Sequence, residues 1–403
     1  MARVHSSPSA VLPPPTERYS VFGWLYKNLF STWYNSILTI ISLSLVFFAV
    51  RGMLSWLINE AQWEVIQVNF RLLMVGQYPV DLIWRVWLCL HLLAAVIGLS
   101  WGVWVRGRWI QLFLLVSIPL SLSFLPGIDQ SARWHLLSLS VIVLGGYFLG
   151  RVGGRPLGRL VVNLWVLYFI LVILVIRGFT LSEGWFRIVP SNLWGGLLLT
   201  FLLTVTGIVF SFPLGILLAL GRRSRLPAVR GICITYIEVI RGVPLVTILF
   251  MAQVMLPFFL STGTPPDRVL RAIAGITLFS AAYLAENVRG GLQAVPQGQY
   301  EAAYAVGLSG FKTMIYIILP QALRTVIPVL VGQFISLFKD TTLVSIVGLL
   351  DLLGISRSIL AQPQYIAQQR EVLLFITAIY WVFSYLMAYV SQRLEISLGV
   401  GER

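Results

Sequence analysis

Ten stretches of this 403-residue chain are apolar for long enough, or nearly so, to cross a lipid bilayer. They run roughly over 33–50, 82–104, 109–125, 135–150, 159–176, 193–220, 232–260, 268–290, 322–345 and 371–391. A helix needs about 20 mostly apolar residues to span the hydrocarbon core. Inside that core no water satisfies the backbone, so each stretch must hydrogen-bond within itself as a helix. Composition agrees, because 58% of residues are hydrophobic and only 11% charged, too few to coat a soluble protein of this size. The expectation is an all-α, polytopic membrane protein with about ten transmembrane helices.

The formal net charge of +14 could point to nucleic acid. Its arginines, however, lie in short clusters between apolar runs, with no long basic face, so no nucleic-acid partner is expected. They follow a loop asymmetry instead. Arg106 and Arg108, then Arg151, Arg155 and Arg159, then Arg222, Arg223, Arg225 and Arg230 fall on alternate connections. That bias puts these connections and both termini in the cytoplasm. Residues 1–20 are polar and proline-rich, without the apolar core of a signal peptide, and read as part of a cytoplasmic tail over 1–32.

Little in the chain offers covalent chemistry. Cys89 and Cys233 have no metal or disulfide spacing, and His5, His91 and His135 are scattered. No catalytic residue and no metal ligand is expected. A phosphate-binding loop needs G-x-x-x-x-G-K-[ST], but before Lys312-Thr313 stand Phe311 and Val306 where both glycines are required. The chain therefore binds no nucleotide of its own. Composition also divides it: thirteen of fourteen tryptophans, Trp24 to Trp194, lie in the first half, and a boundary is placed near residue 190. Residues 33–185 read as an accessory region of lipid-anchored spans, and 186–403 as the working part.

Between the eighth and ninth stretches the pattern breaks at "PQGQYEAAYAVGLSG", Pro296 to Gly310. Pro296 stops the preceding helix, residues 299–306 favour a helix, and Gly307 ends it. A second short helix from Phe311 should end near Pro320. Ala302, Ala303 and Ala305 make one side small, and Glu301 is expected in the first turn, where the helix dipole favours an acid. The run "EAAYAVGLSGFKTMIYIILPQA" resembles the EAA loop of binding-protein-dependent ABC importer permeases, carried here by Glu301, Ala302, Ala303, Gly307 and Ile317 to Pro320. "IEVIRGVPLVTILF", "AAYLAENVRGGLQAVPQGQYEAA", "LPQALRTVIP" and "FKDTTLVS" resemble permeases for polar amino acids. Val243 and Thr342 depart slightly from that pattern. "WLYKNLFSTWYNS" and "VGQYPVDLIWR" resemble the long permease form with extra N-terminal spans.

The resemblance implies a five-helix permease core in the C-terminal half, with a coupling loop at 296–320, in a bacterial inner membrane. It implies two partner ATPase subunits carrying ATP and Mg, a second homologous permease, a periplasmic amino-acid-binding protein, surrounding membrane lipid and an amino-acid substrate. The residues add their own suggestion. Glu238, Arg241, Glu286, Asn287, Arg289, Lys339 and Asp340 fall within or beside spans, where charges must pair or line a watery route. Glu238 and Arg241 are three apart and can pair on one face, and Arg241-Gly242-Val243-Pro244 suggests a helix break. Lys339 and Asp340 beside the hydroxyls of Thr341 and Thr342 suit a zwitterion. Glu238, Arg241, Glu286, Lys339, Asp340, Thr341 and Thr342 are the candidate pathway. The rival function is a stand-alone secondary transporter, which would need inverted repeats that the halves do not display.

Overall fold

A computed structural model describes residues 21–105, 109–124, 128–179, 184–259 and 266–398. The expected tail over 1–20 lies outside the described residues, as do Arg106 and Arg108. Within the tail's expected bounds, Val21–Leu29 already forms helix α1. Trp33–Asn59 forms α2, whose start is capped by the Thr32 hydroxyl accepting from the Asn35 amide. The Thr39 hydroxyl donates to the Leu29 carbonyl and ties the two helices. No residue of α2 is buried, and it is apolar all round, which suits a helix immersed in lipid. Residues 21–62 form one unit and 63–398 another.

The larger unit opens with α3 (Glu64–Val75), α4 (Ile83–Trp104), α5 (Trp109–Ser123), α6 (Gln130–Gly153) and α7 (Gly158–Arg177). Then come α8 (Gly196–Arg222), α9 (Pro227–Arg241), α10 (Leu245–Phe250), α11 (Leu256–Phe259) and α12 (Arg268–Ala294). It closes with α13 (Gln297–Ala305), α14 (Gly310–Thr313), α15 (Leu319–Asp340), α16 (Leu352–Leu360) and α17 (Gln369–Leu398). Among the described residues eight helical runs are long and apolar enough to cross a membrane, or nine if the bent pair α9 and α10–α11 counts as one span. The expected third span is the 15-residue α5, about 22 Å against a core of about 30 Å. The expected seventh is broken at Gly242-Val243-Pro244 with a bend of 105°. That break is the one the sequence pattern suggested.

Two prolines that ought to disrupt helices are accommodated by a shift in the bonding just before them. Pro257 and Pro320 each follow a π-helical turn, Met251–Met255 and Met314–Ile318. Each turn shifts the bonding by one residue just where a proline lacks its donor. The helix beginning at Gly310 therefore does not end near Pro320, as expected, but runs on as one 36-residue stretch to Ser345. Pro213 in α8 instead sits beside Gly215, where a Cβ would come 2.5 Å from Leu284, so this segment is a close-packing site against α12.

The composition break near residue 190 does not coincide with a break in packing. Val65, Ile66 and Leu73 of α3 are buried in one cluster with Leu352, Ile355, Ile359, Val372 and Ile376 of α16 and α17. Cys89 of α4 and Ile176 of α7 share a second cluster with Leu199, Leu203 and Ile276. Gly76 bridges to Trp194, and Gly196 to Asp351. The Tyr78 hydroxyl, pushed up to about 12 by burial and so protonated, donates to the Ile176 carbonyl at 2.8 Å.

The tightest contact of the first half is between α4 and α6. Gly98 and Gly102 face Gly146 and Gly150, four residues apart on each helix. A Cβ on Gly98 would meet the Val143 carbonyl oxygen at 2.4 Å, and one on Gly150 the Leu99 carbonyl oxygen at 2.5 Å. Small residues let two backbones touch where lipid supplies no hydrophobic drive. Gly145, next to this seam, has open space around it. Gly150→Ala should therefore destabilise the purified protein by about 1–3 kcal/mol, whereas Gly145→Ala should be neutral or stabilise by up to about 1 kcal/mol. Thermal unfolding of the two variants in one detergent distinguishes them, and equal effects would refute the seam.

Candidate functional site

The interruption at Pro296 folds as a helix, a glycine turn and a second helix. α12 stops at Ala294, and α13 begins directly after Pro296. Gly307 takes φ +80°, and its amide donates to the Tyr304 carbonyl while Leu308 donates to Ala303. That pair of bonds is the Schellman ending, which requires a left-handed residue that glycine supplies without strain. Because α13 starts at Gln297 rather than Gln299, Glu301 lies beyond the first turn. The dipole argument for it fails, since that effect fades within one turn. Glu301 is exposed and in no ion pair among the described residues.

The three alanines do not form one small face either. Ala303 is buried, whereas Ala302 and Ala305 are exposed, as a 100° step per residue requires. Sequence reading missed the larger groups around them. Tyr304, Val306, Phe311 and Tyr316 are 53%, 77%, 76% and 68% exposed, an apolar surface beside Glu301. Gln299 and Gln321 bond at 3.1 Å and hold α13 to the start of α15. On its other side Arg223 donates to the Tyr300 hydroxyl at 3.2 Å.

The charges within the spans divide into two groups. Glu238 and Arg241 do not pair with each other, contrary to expectation. Glu238 meets Arg222 at 2.9 Å, and Arg241 meets Glu286 at 3.5 Å. Arg222 also reaches Glu286 at 3.4 Å, and Arg289 forks onto the other Glu286 oxygen, one turn away on α12. One carboxylate thus faces arginines from α8, α9 and α12. Arg241 also stacks over Tyr283, its guanidinium 5.6 Å from the ring centre. Asn287 bonds Gln333 at 2.8 Å, and Gln333 donates to the Ser280 carbonyl, extending the polar network to α15. Arg222 is the member that sequence reading counted only as a loop charge. Its place at the end of α8 was the available signal.

Lys339 and Asp340 are not brought to this network. Asp340 follows Gln333 by seven residues, about 10 Å farther along α15. Phe338 and Thr341 turn into the core, and Lys339 is exposed and Asp340 half-buried. Neither charge is in an ion pair among the described residues. The Thr341 hydroxyl donates to the Phe338 carbonyl, and that of Thr342 to Lys339. Thr341 is buried, whereas Thr342 is half-exposed.

Asp351 is a second residue that sequence reading missed, although an aspartate before a leucine-rich helix is an N-cap signal. It is fully buried and caps α16, accepting from the amides of Gly354 and Leu353, with the Tyr380 hydroxyl 3.4 Å away. Burial pushes its carboxyl up to about 6, outweighing the two amides. Thr200 of α8 accepts from the Leu352 amide beside it at 3.2 Å.

Comparison with known proteins agrees along nearly the whole length. Residues 211–397 match the family described as binding-protein-dependent transport system inner membrane component. The chain is 38% identical over 396 residues to the inner membrane amino-acid ABC transporter permease protein YhdY of Escherichia coli strain K12, covering 94% of this chain and 93% of that one. It is 35% identical over 421 residues to the glutamate/glutamine/aspartate/asparagine transport system permease protein BztC of Rhodobacter capsulatus, covering 96% and 95%. A solved amino acid ABC transporter with histidines matches 50% of this chain and 92% of its own, at 31% identity and TM-score 0.45.

The Asp351 carboxyl generates a pH prediction. Its folded pKa lies above the ordinary value, so its contribution to stability is complete at low pH and lost as pH rises through about 6. Asparagine keeps the cap without titrating. The melting temperature of Asp351→Asn relative to wild type should rise from pH 5 to pH 7.5, by the equivalent of about 1.4 kcal/mol. A pH-independent difference would contradict the assignment.

Proposed function

The chain belongs to the amino-acid ABC transporter permease family, and from that premise we propose how it works within an importer. It is a multi-pass permease subunit of the inner membrane. Two separate ATPase subunits bind ATP and Mg, and this chain holds neither. A second homologous permease completes the pathway, a periplasmic binding protein delivers the substrate, and polar amino acids pass. Both termini and the 296–320 element face the cytoplasm, in keeping with the arginine-rich connection at 222–230 beside that element.

The observation that carries this reading is the continuity from the coupling element into the bundle. The Gly307 turn leads into an unbroken helical run from Gly310 to Ser345, about 54 Å long. ATPase closure against Glu301, Ala302, Gly307 and the exposed Tyr304, Val306 and Phe311 would move one end of that rod. Its other end carries Lys339 and Asp340. These two, with half-exposed Thr342, are the candidate pathway residues, because no ion pair neutralises them. Glu238, Arg241 and Glu286 act instead as a brace between helices. The helix-in-groove contact at α13 needs Ala303 turned inward, which lets the element lie close to the bundle.

Charge reversal at Glu301 tests the docking role. Glu301→Lys sets like charges against a basic socket and should lower both uptake and substrate-stimulated ATPase activity at least about tenfold, equivalent to about 1.4 kcal/mol. Membrane levels should stay normal because the side chain is exposed. Unchanged uptake at normal levels would remove Glu301 from the interface.

A further inference from the structure

The loop between α8 and α9 carries more positive charge than its surroundings neutralise. Arg222 is engaged by Glu238 and Glu286. Arg223, Arg225 and Arg230 are exposed and have no carboxylate partner among the described residues. Arg223 is steadied by Tyr300, which accepts its hydrogen bond and lies under its guanidinium at 6.0 Å. The three arginines line an open cleft of about 460 Å³ together with Ser224, Pro227 and Ile234.

At Gly231 this cleft runs into a second, shallow groove of about 520 Å³ on α9. Its walls are almost wholly apolar. Ile232 and Val239 stand 71% and 57% exposed along it, seven residues apart and so on one face. Tyr236, between them, is fixed by donating to the Leu278 carbonyl of α12 at 2.8 Å. The groove from Gly231 to Ile240 is about 15 Å long, comparable with much of an acyl chain. Its far end is the helix break before Leu245.

We propose that this composite surface is a binding site for an anionic phospholipid, its phosphate on Arg223, Arg225 and Arg230 and an acyl chain along α9. Charge complementarity and the order of the two parts carry the inference. Uncompensated cations sit in the connection from α8 and the first turn of α9, and the apolar groove follows from Gly231 along the same helix. A soluble anion would use the cleft and leave the groove empty. A zwitterionic lipid would fill the groove and gain little from three cations. Guanidinium groups suit the phosphate because they donate in a fixed fork. The site also touches the coupling element, through Arg223 and Tyr300, the residue before Glu301.

The test uses the full chain purified with its partner subunits, in nanodiscs containing equal phosphatidylglycerol and phosphatidylcholine. After transfer to detergent, native mass spectrometry counts the lipids retained. Wild type should retain phosphatidylglycerol over phosphatidylcholine by at least about tenfold. The triple variant Arg223→Gln, Arg225→Gln, Arg230→Gln should lose that preference. The matching triple change to lysine, which keeps the charge, should retain most of it and controls for folding. Equal retention of both lipids by wild type, or a preference that survives the glutamine changes, overturns the proposal. Displacement of the lipid by millimolar inorganic phosphate overturns it in favour of a free-anion site. Loss of the ATPase subunits from the glutamine variant while its lipid stays bound overturns it in favour of a protein-docking surface.

Discussion

The Glu286 carboxylate, facing guanidinium groups from three helices, is the interaction on which the inner half of this bundle depends. Charge is costly inside an apolar bundle, and one carboxylate can be tolerated there only if cations surround it. Arg222 is the last residue of α8 and Arg241 the last of α9, so both helices end on the same anion. Arg289 reaches it from α12 itself. The bend after Arg241 falls at Gly242-Val243-Pro244, with Pro244 directly before α10. Asn287 and Gln333 then join α15 to the same level. Packing around this brace is close, with Leu284, Ala285, Val288 and Leu292 fully or almost fully buried.

Most of the architecture could be read from the chain. Apolar length alone located the helices, and the break at Arg241 to Pro244 and the stop at Pro296 followed from proline and glycine chemistry. What failed did so for physical reasons. Pro320 was expected to end a helix, but a π turn beforehand removed the conflict, and nothing local in "MIYIILP" announces that. Packing across the composition break near residue 190 was not legible, because tryptophan reports the membrane interface rather than packing partners. Contacts between α3 and α16, far apart in sequence, were invisible to composition.

The candidate site was legible to a lesser degree. Sequence spacing picked the right charged residues within the spans but paired them wrongly. Glu238 and Arg241 share a helix face, yet each takes its partner from another helix, Arg222 of α8 and Glu286 of α12. A boundary error of two residues moved Glu301 out of the first turn, and which alanine faces the bundle depends on tertiary packing that leaves Ala303 buried. The exposed aromatic groups of the coupling element could not be found without knowing which faces the bundle covers. Lys339 and Asp340 lie away from the Glu286 network, and among the described residues neither is in an ion pair.

Glu286→Gln tests most directly whether this carboxylate braces the helices or contacts the substrate. The substitution keeps size and leaves three arginines short of their anion. Thermal unfolding of the assembled transporter and amino-acid uptake in proteoliposomes should be measured together. A brace predicts a loss of about 2–3 kcal/mol in stability, with apparent substrate affinity in the surviving transporter unchanged within about twofold. Unchanged stability with affinity weakened at least about tenfold would make Glu286 a substrate contact and contradict the account.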